Sequence, residues 1–218
     1  MDVAVAEPVY APDAAASQST FPNGDRWRIE IPSVEGPAAV HTVLDEADNL
    51  QVPVHRISQG SGIQLLLNSE ISEMLDMCAQ AAVELCLFVG PRGGFDIGAA
   101  VLAASGGVLK GALRGARQIH HALTDVERAA GLGVRSILVA DLGLLVLLSQ
   151  RRADGRLPAD FVIKYSVLGA PSNPATAAVL AQLGADTINI PSDLTIRQIA
   201  EVRASTPAVI DFYVEAPD

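Results

Sequence analysis

The stretch DFVIKYSVLGAPSNPATAAVLAQLGADTINIPSDLTIRQIAEVRASTPAVIDFYVE, residues 160–215, decides the fold. Apolar strand-like runs at 160–167, 186–191 and 208–215 are separated by helical segments at 173–184 and 192–205. Asn173 before Pro174 is a strong helix start, because the Asn side chain caps free N–H groups and proline suits the first helical position. Gly184 is a good stop. Strand, helix and strand at roughly 25 residues per unit imply parallel strands joined by right-handed crossovers.

The same unit recurs upstream. WRIEIPSV (27–34) alternates Trp27, Ile29 and Ile31 with Arg28 and Glu30, and Gly36-Pro37 opens a helix running to about Asn49. VPVHRIS (52–58) is a second strand, with a loop Gln59-Gly60-Ser61-Gly62 and a helix over 69–82 capped by Asn68 or Ser69. VELCLFVG (83–90) runs into Pro91-Arg92-Gly93-Gly94, then an Ala/Gly-rich insertion (96–111) and a helix (112–130). VRSILVADLG (134–143) is the fourth strand, followed by a helix at 144–153. Seven strands alternating with six helices predict a (β/α)8 TIM-barrel-like domain whose eighth unit is missing or supplied elsewhere. An open doubly wound sheet competes, but no G-x-G-x-x-G follows the first strand. Residues 1–25, rich in Ala, Pro, Ser and Asp, read as a disordered arm, and 26–218 as an incomplete barrel whose bare last strand predicts truncation or self-association through that edge.

Composition narrows the function. The 218 residues carry a formal charge of −10 and a pI near 4.7, so no nucleic-acid partner is expected. No apolar run is long enough to span a membrane. The two cysteines, Cys78 and Cys86, fit a reducing cytoplasm and exclude a disulfide scaffold or a cysteine metal site within these residues. No metal site is predicted, and the sequence does not identify a cofactor.

In a barrel, alternate strand residues face the lumen. The apolar set of each strand covers helices, so the polar set turns inward: Arg28 and Glu30, then Glu84, Cys86 and Phe88, then Val162, Lys164 and Ser166, Thr187 and Asn189, and finally Asp211, Tyr213 and Glu215. A structural barrel fills these positions with Val, Ile and Leu, and buried charges must pair or meet a ligand. Lys164, Glu30, Glu215 and Asp141 are the candidate catalytic residues. His55, Arg56, Ser58, Gln59, Arg92, Ser166 and Asn189 are the candidate substrate-binding residues at strand ends and loops. Both glycine loops, 59–62 and 91–94, expose N–H groups suited to an anion.

Plainer roles compete at each position. Glu30, Lys164 and Glu215 suit an internal ion-pair network, Asp141 a helix cap, Asn189 and Ser192 turns, His55 a satisfied core group and Cys86 packing. Glu84 is left out because it stands at the start of its strand, on the stability face. His120-His121 belongs to a surface.

The order VPVHRISQGSG, LFVGPRGG, ILVADLGLL, FVIKYSV with its following NP, LGADTINIPSDLTIRQIAEVR and VIDFYVEAP resembles the barrel domain of the collagenase-like (U-thirty-two) peptidases. The family's aspartate-glycine pair is displaced here to Asp141-Leu142-Gly143. Its asparagine-started helix and following strand and helix match Asn173 and 184–199. The resemblance implies a hydrolase acting on a small molecule or peptide in the barrel mouth. The cysteine-containing signature expected after the last strand is not among these residues. FVIKYS also resembles the Schiff-base strand of class I aldolases, in which a lumen lysine attacks carbonyls while Glu30 or Glu215 moves protons. A third reading is a non-catalytic barrel that binds a ligand or holds a partner.

Overall fold

The computed structural model describes residues 17–91 and 111–214. Seven strands are built in chain order: β1 (Glu30–Ile31), β2 (Arg56–Gln59), β3 (Glu84–Val89), β4 (Ser136–Val139), β5 (Val162–Tyr165), β6 (Thr187–Asn189) and β7 (Val209–Asp211). All neighbours are parallel and the sheet order is sequential from β1 to β7. Among the described residues six helices cross between them: α1 (Pro37–Asn49), α2 (Asn68–Gln80), α3 (Gly115–Leu132), α4 (Leu142–Ala153), α5 (Pro174–Gln182) and α6 (Ile196–Ala204). This is the alternation expected of a (β/α) barrel, with β1 and β7 at the two ends of a curled sheet. No helix among the described residues is long and apolar enough to cross a membrane.

Local chemistry sets the boundaries. Asn173 accepts from the Thr176 N–H at 2.9 Å and caps α5, as the Asn-Pro pair predicts. Gly184 follows that helix at φ +105°, and a Cβ there would collide with Ser149. Thr195 and Gln198 cap each other at the start of α6. Other boundaries shift from expectation, the helix at 112–130 to Gly115–Leu132 and the strand at 208–215 to Val209–Asp211 among them. α2 is capped by Leu67, whose N–H donates 2.7 Å to Glu70, because the Asn68 side chain instead accepts from Arg128. The first strand shrinks to Glu30–Ile31, and Trp27, 61% exposed, lies before it against His55.

The core lies between sheet and helices. Ile57, Leu87, Ile137, Ile163 and Ile188 point outward from successive strands and are fully buried with Val40, Ile71, Val126, Leu144, Leu148 and Val202 of the helices. Burying each such side chain contributes about 1.5–3 kcal/mol. Arg152 on α4 pins the lower rim, donating to the Phe161 and Gly184 carbonyls and to Asp186, which also accepts from the Ile163 N–H.

Candidate functional site

Ladder register fixes which inward residues meet. Rows of hydrogen-bonded partners join Glu30, Arg56 and Glu84, and separately Ser58, Cys86, Ser136 and Val162. In an eight-stranded barrel of shear 8, a level layer climbs about one residue per strand relative to such a row. Counted that way, Glu30 on β1, Cys86 on β3, Lys164 on β5 and Asp211 on β7 share one height. Arg56, Ser136 and Thr187 form the layer beneath, and Ser58, Leu138 and Asn189 the layer above. Where a structural barrel stacks branched aliphatics, this one stacks charge.

The side chains close the layer. Lys164 Nζ donates 2.6 Å to Glu30 Oε1 and contacts Asp211 Oδ2. Glu30 and Lys164 stand four strands apart, about 19 Å in a flat sheet, so their contact measures the curl directly. Ser58 donates to Glu30, and Arg56 bridges Glu30 at 3.1 Å and Glu84 at 2.9 Å. Asn189 Nδ2 donates 3.0 Å to Asp211, while its buried Oδ1 has no partner among the described residues. Cys86 lies fully buried in the same layer.

Burial opposes every charge here, and pairing overrides it. The Lys164 ammonium, 3% exposed, would lose its proton more readily on burial, but Glu30 and Asp211 raise its pKa above the ordinary lysine value. Burial likewise works to raise Glu30, and Lys164 and Arg56 hold it below the ordinary carboxylate value. For the Cys86 thiol, burial pushes the pKa up to about 11, so it stays protonated at neutral pH. Lys164 is therefore a fixed cation between carboxylates.

The other predicted residues scatter. Asp141 caps α4, accepting from Leu144 N at 2.9 Å, and also accepts from Leu113 N. Ser166 accepts from Leu168 N in the turn after β5. His55 Nδ1 accepts from Ile29 N just before β2, at the end of the barrel away from the mouth. Gln59 holds its own loop through both Gly62 backbone groups. The N–H groups of Gly60 and Ser61 do take an anion, which is the chain's own Glu35 carboxylate at 3.1 Å. Arg92 and Glu215 lie outside the described residues.

Sequence reasoning set Glu84 aside, yet it anchors Arg56 in the lowest row of the lumen. Asp211 was identified as inward-facing but passed over for Glu215, nearer the strand end. Its height follows from the register between strands, which only the structure supplies.

Residues 108–216, half of the chain, match the family model described as Peptidase family U32. The chain belongs to peptidase family U32. Among solved structures, the U32 peptidase Mk0906 is 16% identical with a TM-score of 0.56, over 91% of this chain and 73% of its own. The YdjI aldolase from Escherichia coli K12 is 16% identical with a TM-score of 0.52, over 85% of this chain and 66% of its own. At these identities the likeness is one of fold. No curated protein matches the U32 chain.

Proposed function

We propose that this U32 domain binds a peptide or small peptide-like molecule at the C-terminal mouth of its barrel and hydrolyses it. The layer of Glu30, Lys164 and Asp211 forms the charged floor of that site. One observation carries the reading: a lysine buried between two carboxylates occupies the middle of a barrel interior, where packing alone selects aliphatic residues. In this reading Lys164, held as a cation, stabilises the oxyanion that develops when water attacks an amide carbonyl. Asp211, last residue of β7, accepts the proton from that water and passes it to the leaving amine. Asn189, Ser58 and Arg56 hold the two carboxylates in place. Ser166, just after β5, belongs to the rim that meets the rest of the substrate. The buried, unpaired Cys78 and Cys86 support a cytoplasmic setting.

The aldolase alternative needs a neutral amine. A lysine whose pKa is raised by Glu30 and Asp211 is the wrong species for it. The non-catalytic alternative is separated by experiment. Casein or gelatin digestion is expected with the wild type and lost in Lys164→Met and Asp211→Asn, with circular dichroism unchanged in at least the isosteric Asp211→Asn. A wild-type protein that digests neither substrate, or an Asp211→Asn protein that digests at the full rate, would overturn the hydrolase reading. Borohydride trapping of a carbonyl compound on Lys164 would restore the aldolase one.

A further inference from the structure

Asn189, the last residue of β6, lies between the charged floor and the mouth, and only 4% of it is exposed. Its Nδ2 donates 3.0 Å to Asp211 Oδ2, the same carboxylate oxygen that Lys164 Nζ contacts. An ionised carboxylate accepts and cannot donate, so this bond fixes which end of the amide faces Asp211. The other end, Oδ1, is buried and has no hydrogen-bond partner among the described residues. Its neighbours in the lumen are engaged: Ser58, level with it on β2, donates to Glu30, and Ser166, just after β5, accepts the Leu168 N–H. An asparagine kept only for packing would use both ends of its amide, because a buried carbonyl without a donor is costly. Asn189 instead presents an acceptor beside the lysine, aimed by the carboxylate that both of them touch.

We propose that Asn189 Oδ1 accepts the N–H of the residue whose carbonyl Lys164 polarises, so that the site takes peptides with a free N–H on the acyl side of the scissile bond and rejects proline there. The inference rests on the hydrolase reading for the direction of the substrate. In an extended chain the N–H and C=O of one residue point to the same edge, as in the hydrogen-bonded pairs of an antiparallel ladder. The floor offers the two complements of that edge side by side. Of the three hydrogens on Lys164 Nζ, Glu30 and Asp211 take two, which leaves one for the carbonyl. Asn189 Oδ1 takes the N–H. A simple acyl amide, or a peptide with proline or an ester oxygen at that position, brings the carbonyl without the donor and leaves Oδ1 unmatched. A site built around a substrate N–H rejects such analogues far more strongly than an apolar pocket rejects a missing methylene. Asn189 is thus a specificity-determining residue as well as a support for Asp211.

The probes are a blocked alanine hexapeptide and its analogues in which one N–H at a time is replaced by an ester oxygen. Cleavage is followed by mass spectrometry and read as kcat/KM, and a peptide that binds without being cleaved is read as Kd by calorimetry. In the wild type one ester, that of the residue on the acyl side of the cleaved bond, should cost about tenfold or more. In Asn189→Leu, or in Asn189→Ala should the leucine variant fail to fold, the parent peptide and that ester should be handled alike. A residue that only supported Asp211 would lower both by the same factor and leave their ratio at the wild-type value, which would overturn the proposal. Cleavage of the parent with no sensitive position overturns it too, leaves the hydrolase reading standing, and shows that Oδ1 meets internal water only. Binding without cleavage, with one sensitive position that Asn189→Leu abolishes, upholds the N–H contact and overturns hydrolysis. A parent peptide neither cleaved nor bound overturns both.

Discussion

The two faces of this sheet are one residue apart in sequence and opposite in chemistry. Ile163 points outward into a fully buried aliphatic layer, and its neighbour Lys164 points inward to a layer of paired charge. The outer face needs only volume and apolarity, and its contacts tolerate exchange among aliphatic residues of similar size. The inner face needs specific partners at specific heights, because a buried ion left alone costs several kcal/mol. Stability is thus spread widely on one side and concentrated in a few bonds on the other.

The largest break in that contrast should come from Glu30→Ala. It leaves Lys164 with one carboxylate fewer, strips Ser58 of its acceptor and removes one of two bridges on Arg56. The expected loss is about 3–5 kcal/mol in urea unfolding. If the loss is below that of a surface substitution, the charged layer is not truly buried. Ile163→Ala on the other face should cost about 2–4 kcal/mol by the same measurement, with the charged layer and any bound ligand unaffected.

The faces should also differ in pH response. Glu30 has a lowered native pKa, so its contribution is present above the ordinary 4.5 and is lost as pH falls through the lower native value. Lys164 has a raised native pKa, so its contribution is complete below the ordinary 10.5 and is lost as pH rises through the higher native value. Glu30 and Lys164 both contribute fully between these limits, while the alkaline fall begins earlier, above about 9, because burial pushes the Cys78 and Cys86 thiols up from 9.0 to about 11. Lys164→Met should shrink both limbs, because the alkaline one loses the lysine's share and Glu30, without its nearest cation, is held less far below 4.5. Ile163→Ala should lower the whole curve without changing its shape, and a change of shape there would show that the faces are coupled. The smallest effect belongs to neither face: Asn173→Ala should cost about 1 kcal/mol through the lost cap on α5, seen as a small fall in melting temperature.

These contrasts mark what the sequence made legible. Period-two alternation separated Ile163 from Lys164 and Ile188 from Asn189, since a strand buried on one side by helices shows its facing directly. The caps at Asn173 and the stop at Gly184 were readable because their chemistry is local. Height in the barrel was not readable, because it depends on the register between strands many residues apart. So Asp211 was overlooked beside Glu215, and Glu84, correctly judged to start its strand, was not matched to Arg56. Asp141 illustrates the opposite difficulty: a carboxylate before a helix serves cap and site equally well in sequence, and only its bonds to Leu113 and Leu144 show the cap in use.

The bond between Lys164 and Glu30 spans 134 residues, against 26 and 28 for the two bridges of Arg56. Neighbouring strands can associate through short loops, each closing at modest entropic cost, whereas this bond waits until five strands have assembled and curled. It is therefore expected to form late, after the folding barrier. Removing it should leave the refolding rate nearly unchanged and accelerate unfolding, so the lumen charges govern how long the barrel stays closed rather than how fast it is made.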